Sequence, residues 1–160
     1  MSGARDRFTE ASRSLGLHPD VHHFPEGTKT AEDAARAIGC DVAQIVKSLV
    51  FMADDEPVLA LTSGRNRVDT RRLAELCGAS EVRRATPEEA RATTGYAVGG
   101  TPPFGHPARV RAFVDEDLMG LEEVWAAAGT PDSVFPLSPT ELVALSHASR
   151  ASFAEIPPER

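Results

Sequence analysis

The stretch DVAQIVKSLVFMA, residues 41–53, decides the fold. From Ile45 to Met52 it is apolar except at Lys47 and Ser48. A short run rich in Val, Ile, Leu and Phe reads as a buried strand. Alternation puts Ile45, Lys47, Leu49 and Phe51 on one face and Val46, Ser48, Val50 and Met52 on the other. An ammonium in the middle of such a strand is costly to bury without a partner. Lys47 therefore either ends in a pocket that needs a positive charge or runs its stem to the surface.

Working outward, Asp54–Pro57 reads as a turn and Val58–Ser63 as a returning strand, which makes a hairpin. Upstream, residues 4–15 suit a helix with Phe8, Ala11, Ser12 and Leu15 facing inward, ended at Gly16. Val21–Phe24 is a short extended piece, and Thr30 opens a helix that places Ala31, Ala34, Ala35 and Ile38 at helical spacing before Gly39. Downstream, Asp69 caps a helix that ends at Gly78, with Val68 and Leu73 as its hydrophobic staple. Residues 80–84 follow as a strand. Thr86-Pro87-Glu88-Glu89 combines a cap, an N1 proline and an N3 glutamate, and starts a helix that ends near Gly95. Ser138-Pro139-Thr140-Glu141 repeats that grammar for a last helix reaching about His147. Between them lie a Gly/Pro loop (Val98–Pro107), a strand at Val110–Val114, an apolar piece at Leu121–Ala128 and a strand at Val134–Leu137. The IPPER tail is expected to fray. Irregular alternation around a hairpin predicts an α+β fold with an antiparallel or mixed sheet, not a doubly wound parallel one.

The 160 residues suit one domain, 1–160, with a real core. No apolar segment approaches the ~18–20 residues that span a bilayer, and MSGARDRFTEASRSLG lacks the apolar centre of a secretory signal. Cys40 and Cys77 show no ligand spacing and read as small core residues in a reducing compartment, so a cytoplasmic protein without a membrane contact is expected. The net charge of −7 is uneven: residues 1–64 carry −4, residues 65–112 carry +4 and residues 113–160 carry −7. A positive middle in an acidic chain is either a phosphate-facing patch or a solvated arginine-rich helix face.

Most catalytic engines are absent: there is no nucleophile elbow, Walker loop, dinucleotide fingerprint or H-E-x-x-H helix. His22 and His23 are adjacent, so on a strand they point apart and do not chelate one metal; no metal is expected. His18 and His147 read as ordinary surface or helix-end residues. What remains is AVGGTPPFGH, residues 97–106. Its paired glycines let backbone N–H groups approach a ligand, and Pro102 and Pro103 stiffen it. Rigid backbone donors suit a carbonyl that gains charge during acyl transfer, although the same composition suits a plain connecting loop.

QIVKSLVF (44–51), LTSGRNRVD (61–69) and TPEEARATTGYAVGGTPPFGH (86–106) together resemble the YbaK/prolyl-tRNA-synthetase-associated editing domain family. FVDED (113–117) and Ala128-Gly129-Thr130 continue the resemblance, which covers about residues 25–146. The family's G-x-x-x-P loop is met by Gly99 to Pro103 and its strand lysine by Lys47. The resemblance implies a single α+β domain with a mixed, mostly antiparallel sheet or barrel-like core flanked by helices. It also implies a free-standing, cofactor-free hydrolase that removes a wrong, small amino acid from the 3′-terminal adenosine of a tRNA: alanine, serine, threonine, cysteine or 2-aminobutyrate. In that role Lys47 holds the nucleotide end, the backbone of Gly99 and Gly100 positions the aminoacyl carbonyl, and a water attacks. A synthetase is a second candidate partner, and a non-catalytic module binding a tRNA end is the alternative reading.

Thr28, Thr30, Ser63, Gly64, Thr101, Pro103, His106, Gly129 and Thr130 are the candidates for lining the substrate pocket. Thr30 is equally a helix cap, and His106 equally a surface loop residue. Arg65, Arg67, Arg71 and Arg72 are candidates for acceptor-stem phosphates or for solvated surface. Cysteine-specific members carry an acidic residue where this chain has Val134. Alanine-specific members often use a histidine where this chain has Gly129-Thr130-Pro131-Asp132. The GGTPPFGH form resembles free-standing members that target other small residues.

Overall fold

The computed structural model describes residues 3–28 and 30–156. The Lys47 segment forms strand β2 (Val46–Ala53) and turns through Asp54-Asp55 into β3 (Glu56–Ser63), antiparallel from Val46↔Ser63 to Ala53↔Glu56. The expected hairpin is therefore present. Its turn is held by the Asp54 carboxylate, which accepts from the N–H groups of Ser80 and Glu81.

Helix α1 (Ala4–Ser14), the short strand β1 (His22–His23) and helix α2 (Ala31–Ile38) precede the hairpin. A 3-10 turn at Val42–Gln44, capped by Asp41, leads into it. After it come α3 (Thr70–Cys77), β4 (Val82–Arg84), α4 (Pro87–Thr94), β5 (Arg111–Asp115) and α5 (Glu116–Met119). The chain continues with β6 (Val124–Ala127), β7 (Ser133–Leu137), α6 (Pro139–Ser146) and β8 (Ser149–Ala151). The expected caps are in place. Thr86 and Ser138 each make a full capping box, and Gly39, Gly78 and Gly95 end their helices in the left-handed conformation. Leu15 is 45% exposed and does not join the inward face of α1, because the helix ends at Ser14 and Leu15 leaves with the turn. Among the predicted features, the end of the tail from residue 157 lies outside the described residues.

Five strands form one sheet in the order β4-β2-β3-β5-β8, and three form a second in the order β1-β7-β6. The first sheet is mixed: β3–β5 and β5–β8 pair in parallel, the rest antiparallel. Neither sheet closes, so the expected mixed core takes the form of two open sheets and not of a closed barrel. The physical reason lies on β2. Its outer edge pairs with β4 only over Phe51–Ala53, and at its other end a single parallel bridge, Ile45↔Trp125, joins it to the second sheet. Among the described residues that bridge is the strand pairing between the two sheets, and the β4 ladder covers only the far end of the β2 edge, so the seam stays open.

The large sheet is buried on both faces, which is why β3 reads as a continuous apolar run. Val46, Val50, Leu59, Leu61 and Val114 face a core shared with Phe8, Phe104 and Phe135. The alternate positions Phe51, Val58, Ala60 and Phe113 pack with Leu73 and Phe153 on the other side. The alternation read for β2 thus holds along its length. Cys40 and Cys77 are half-buried free thiols at the margins of two clusters.

Phe8 of α1 is fully buried, with ring centroids 5.6 Å from Phe104 and 5.0 Å from Phe135. It clamps the loop that carries Gly99 and Gly100 against the small sheet. Phe8→Ala should lower unfolding free energy by about 3–5 kcal/mol, read as a lower urea midpoint. An unchanged midpoint would show that α1 is not part of the core.

Candidate functional site

The seam left open on β2 is a cleft of about 470 Å³. Along Lys47–Leu49 the strand edge has no strand partner among the described residues. In an antiparallel ladder a residue turns both its peptide groups to the same edge, and alternate residues share that edge. The Val50 carbonyl accepts from Ala85 N–H at 3.0 Å on this side. Ser48, two residues earlier, therefore turns its N–H and C=O toward the open seam.

Pleating divides the cleft into two sides. Lys47 shares its face with Leu49 and Phe51, and register places Arg84 opposite Phe51, its guanidinium 5.8 Å from the ring centroid. Glu32, Thr30 and Trp125 complete this polar side. On the other face Val46, Ser48 and Val50 meet Ala85, Ala90 and Ala126, all small or short. Gly99 and Thr101 border the cleft from the loop. A ligand lying across the edge would present an anionic part to one side and a small apolar part to the other.

Lys47 is half-buried and its Nζ donates to the Asn66 carbonyl at 2.6 Å. An ammonium has three donors, so this bond orients it and leaves two for a ligand. Burial pushes its pKa below the usual lysine value; Glu32 opposes that shift, while Arg84 and Arg67 reinforce it. Burial likewise lowers the pKa of Arg84. Asn66 is itself fixed: its Nδ2 donates to Asp115 at 2.9 Å and to Asp117 at 2.7 Å. The buried Asp115 carboxylate also accepts from Ser63 N–H at 3.1 Å. One carboxylate thus ties the ends of β3 and β5 to the residue that aims Lys47.

The residues expected at the site divide by this geometry. Lys47, Gly99, Thr28, Thr30, Gly64 and Thr101 border the cleft. Gly64 is a glycine because a Cβ there would lie 2.5 Å from the Val42 carbonyl oxygen and 2.9 Å from the Ala31 Cβ. Thr30 is a helix cap, accepting from Asp33 N–H at 3.0 Å, and Thr28 Oγ1 donates to the Pro131 carbonyl at 2.7 Å.

Gly100, Ser63, Pro103, His106, Gly129 and Thr130 do not border it. The Gly100 N–H donates to the Ala97 carbonyl at 3.0 Å, and a Cβ on Gly100 would lie 2.9 Å from the Gly129 carbonyl oxygen. Gly100, Gly129 and Thr130 therefore form the close backbone contact behind the loop, and of the paired glycines only Gly99 (φ 92°) faces the cleft. The Ser63 hydroxyl donates to the Ala43 carbonyl at 2.8 Å. His106 donates from Nε2 to the Pro102 carbonyl at 2.8 Å, and burial lowers its pKa. It braces the loop from behind.

Sequence reasoning missed Asn66, Asp115, Arg84 and Ser48. Asn66 and Asp115 lie inside the segments that carry the family resemblance, but only the fold brings them to Lys47. Of the four arginines considered for phosphate contacts, Arg65 pairs with Asp41 at 2.7 Å and Arg72 with its own cap Asp69 at 3.9 Å. Among the described residues there is no group of three or more His, Cys, Asp or Glu side chains arranged to hold a metal. No helix of the described residues is long and apolar enough to cross a membrane.

Residues 25–145 match the model of the aminoacyl-tRNA editing domain family, and the chain belongs to that family. It is 30% identical over 143 residues to an uncharacterized protein, YwhH, of Bacillus subtilis (strain 168), covering 89% of this chain and 88% of that one. It is 38% identical over 94 residues to the proline--tRNA ligase of Nitratidesulfovibrio vulgaris (strain DP4). That match takes in 59% of this chain and only 16% of the ligase. A solved structure described as "a putative trans-editing enzyme for prolyl tRNA synthetase" superimposes with a TM-score of 0.90 at 46% identity. It covers 97% of this chain and 99% of that one. The shared fold is the α+β arrangement described above.

The Asp115–Asn66 link yields a direct expectation. Asp115→Ala leaves the Ser63 N–H, one Asn66 N–H and the Asp117 N–H that it caps unpaired, which should cost about 1–3 kcal/mol of stability for each buried group so orphaned. Denaturant unfolding of the variant reads this, and wild-type stability would show the carboxylate to be dispensable.

Proposed function

We propose that this editing-family member is a trans-editing deacylase that hydrolyses the ester between a small, wrongly attached amino acid and the 3′-terminal ribose of a tRNA. The observation that carries the reading is the two-sided cleft across an open strand edge. Lys47 and Arg84 suit the phosphate or ribose of the terminal nucleotide. The short side chains on the opposite face suit a small aminoacyl group, and the ester between them falls at the strand edge.

In this reading the aminoacyl carbonyl lies between the outward peptide of Ser48 and the Gly99 end of the loop. Fixed N–H dipoles there stabilise the charge that grows on the carbonyl oxygen as water adds. The water oxygen bonds to the carbonyl carbon, the bond from that carbon to the ribose oxygen breaks, and a water proton passes to the leaving oxygen. The products are the free amino acid and a tRNA with an intact 3′ end. Such a site works by positioning and electrostatics, so it needs no side-chain nucleophile.

The tRNA acceptor end is the proposed partner, met locally despite the net charge of −7. Similarity to proline–tRNA ligases makes a prolyl-tRNA synthetase the first protein partner to test. The cytoplasm is the compartment this substrate implies.

Deacylation should be measured on tRNAs charged with alanine, serine, threonine, cysteine and 2-aminobutyrate, with turnover of at least one expected. Tight binding of charged tRNA without hydrolysis would replace the deacylase with a binding module. Equal turnover of free aminoacyl esters would replace it with a small-molecule hydrolase. Lys47→Ala should lower kcat/KM by about 100-fold or more with its thermal midpoint kept within a few degrees. Unchanged kcat/KM would remove Lys47 from the site.

A further inference from the structure

Two segments distant in the chain meet to aim Lys47. Asn66, just past β3, offers the carbonyl that takes the ammonium, and Asp115, at the end of β5, holds the Asn66 side chain. Asp117 shares that grip. A long lysine stem keeps its rotamer freedom unless the groups it meets are themselves fixed. The aim of Lys47 therefore depends on the end of β5 and the residues around Asn66 staying together.

One further segment touches both. β8 pairs in parallel with β5, Ala151 standing opposite Asp115, and Arg150 clasps the next residue, Glu116, at 3.0 Å. Two residues after β8, Phe153 is fully buried in the cluster that holds Leu73 and Phe113. There its carbonyl accepts from Asp69 N–H at 2.7 Å, Ala154 bridges Val68, and Glu155 N–H donates to the Arg67 carbonyl at 2.8 Å. Residues 149–155 thus run from the position opposite Asp115 to the residue beside Asn66, pinned in the middle by Phe153.

The make-up of this segment suits fastening. Ser149, Arg150, Ser152 and Glu155 are exposed, and its hydrogen bonds to residues 67–69 are made by backbone alone. The match to the editing-family model ends at residue 145, so the segment lies outside the matched part of the chain.

We infer that residues 149–155 are a positioning strap for Lys47, holding the Asp115 and Asn66 segments in the relation that aims the ammonium into the cleft. The strap touches no substrate and acts through Asn66 and Asp115. Its kinetic consequence rests on the deacylase reading; its effect on the order of the lysine does not. A reaction built on positioning loses rate steeply when a positioned group is displaced, so loosening the strap should cost more in rate than in stability.

The test removes one donor from the strap. Glu155→Pro deletes the N–H given to the Arg67 carbonyl, whereas Glu155→Ala keeps it. The position is exposed, and Ala154 before it sits in an antiparallel bridge, a conformation that precedes proline readily. On a charged tRNA that the wild type hydrolyses, Glu155→Pro should lower kcat/KM by about tenfold or more, with its thermal midpoint kept within a few degrees. Glu155→Ala should match the wild type. An unchanged kcat/KM in Glu155→Pro overturns the proposal and leaves deacylation standing. So does an equal fall in Glu155→Ala, which would place the effect in the carboxylate.

A spectroscopic measurement needs no turnover. The chain has two lysines, Lys29 and Lys47, so NMR relaxation of the lysine ammonium groups, assigned through Lys29→Arg, reports on Lys47 alone. The Lys47 Nζ order parameter should fall in Glu155→Pro and stay at its wild-type value in Glu155→Ala. Lower stability with lysine order retained would make the segment merely structural and overturn the proposal. If Glu155→Pro fails to fold, hydrogen exchange on the wild type decides. The Asp69 and Glu155 amides should be as protected as those of the β5–β8 ladder, and exchange at the rate of a frayed segment overturns the strap.

Discussion

The structure depends on one interrupted ladder. β2 is fully paired along its inner edge with β3, but along its outer edge it is paired only at its ends. A continuous ladder would satisfy every peptide group and leave no cleft. By stopping β4 at Arg84 and meeting β6 through a single bridge at Ile45, the chain leaves a strand edge exposed inside a cavity rather than on the surface. Unpaired strand edges are normally hazards because they template pairing with other chains. Here the edge is recessed beneath α2, α4 and the Gly99 loop, so it is open to an extended small ligand but shielded from another strand.

Close backbone contacts keep that gap at its width. Gly64 lets the end of β3 approach the 3-10 turn before β2, and Gly100 lets the loop rest on Gly129 and Thr130. Neither contact leaves room for a methyl group. These glycines serve the site by fixing where its walls stand, which is a different service from donating hydrogen bonds to a ligand. Behind Lys47, the chain Asp115–Asn66–Lys47 does the same for the ammonium. Each member is held by the next, so the lysine stem does not need to lose its freedom when a ligand arrives.

Much of this was legible in the sequence because it is local. Capping boxes at Thr86 and Ser138, helix-ending glycines, the hairpin and the two faces of β2 all follow from spacing within ten residues. The awkward placement of Lys47 was legible too, as a charge that needed a reason. What could not be read was non-local. Nothing in GRNRVD tells that the Asn66 carbonyl will meet Lys47, or that Asp115 will reach across to Ser63. Whether the core would be open sheets or a barrel was not legible for the same reason: strand composition does not reveal where a ladder stops. The paired glycines misled in a narrower way, since two adjacent flexible residues turn in different directions, and Gly100 spends its N–H on a turn.

The positive middle of the chain resolves along similar lines. Several of its arginines are structural: Arg83 clasps Glu89 and completes the cap of α4, Arg65 joins Asp41, and Arg111 donates to the carbonyls of Leu76 and Cys77 at the end of α3. Arg84 differs. It follows Arg83 on β4, so pleating sends it to the opposite face, where it lies over Phe51 and borders the cleft. Two adjacent residues of one type thus separate into a helix clamp and a cleft cation by alternation alone, as Lys47 and Ser48 separate into the charged and apolar sides of the same cleft. Part of the local +4 is therefore used in holding elements together, and what that segment brings to the cleft is Arg84, on the same face as Lys47. The opposite face, lined by Val46, Val50, Ala85, Ala90 and Ala126, is left uncharged.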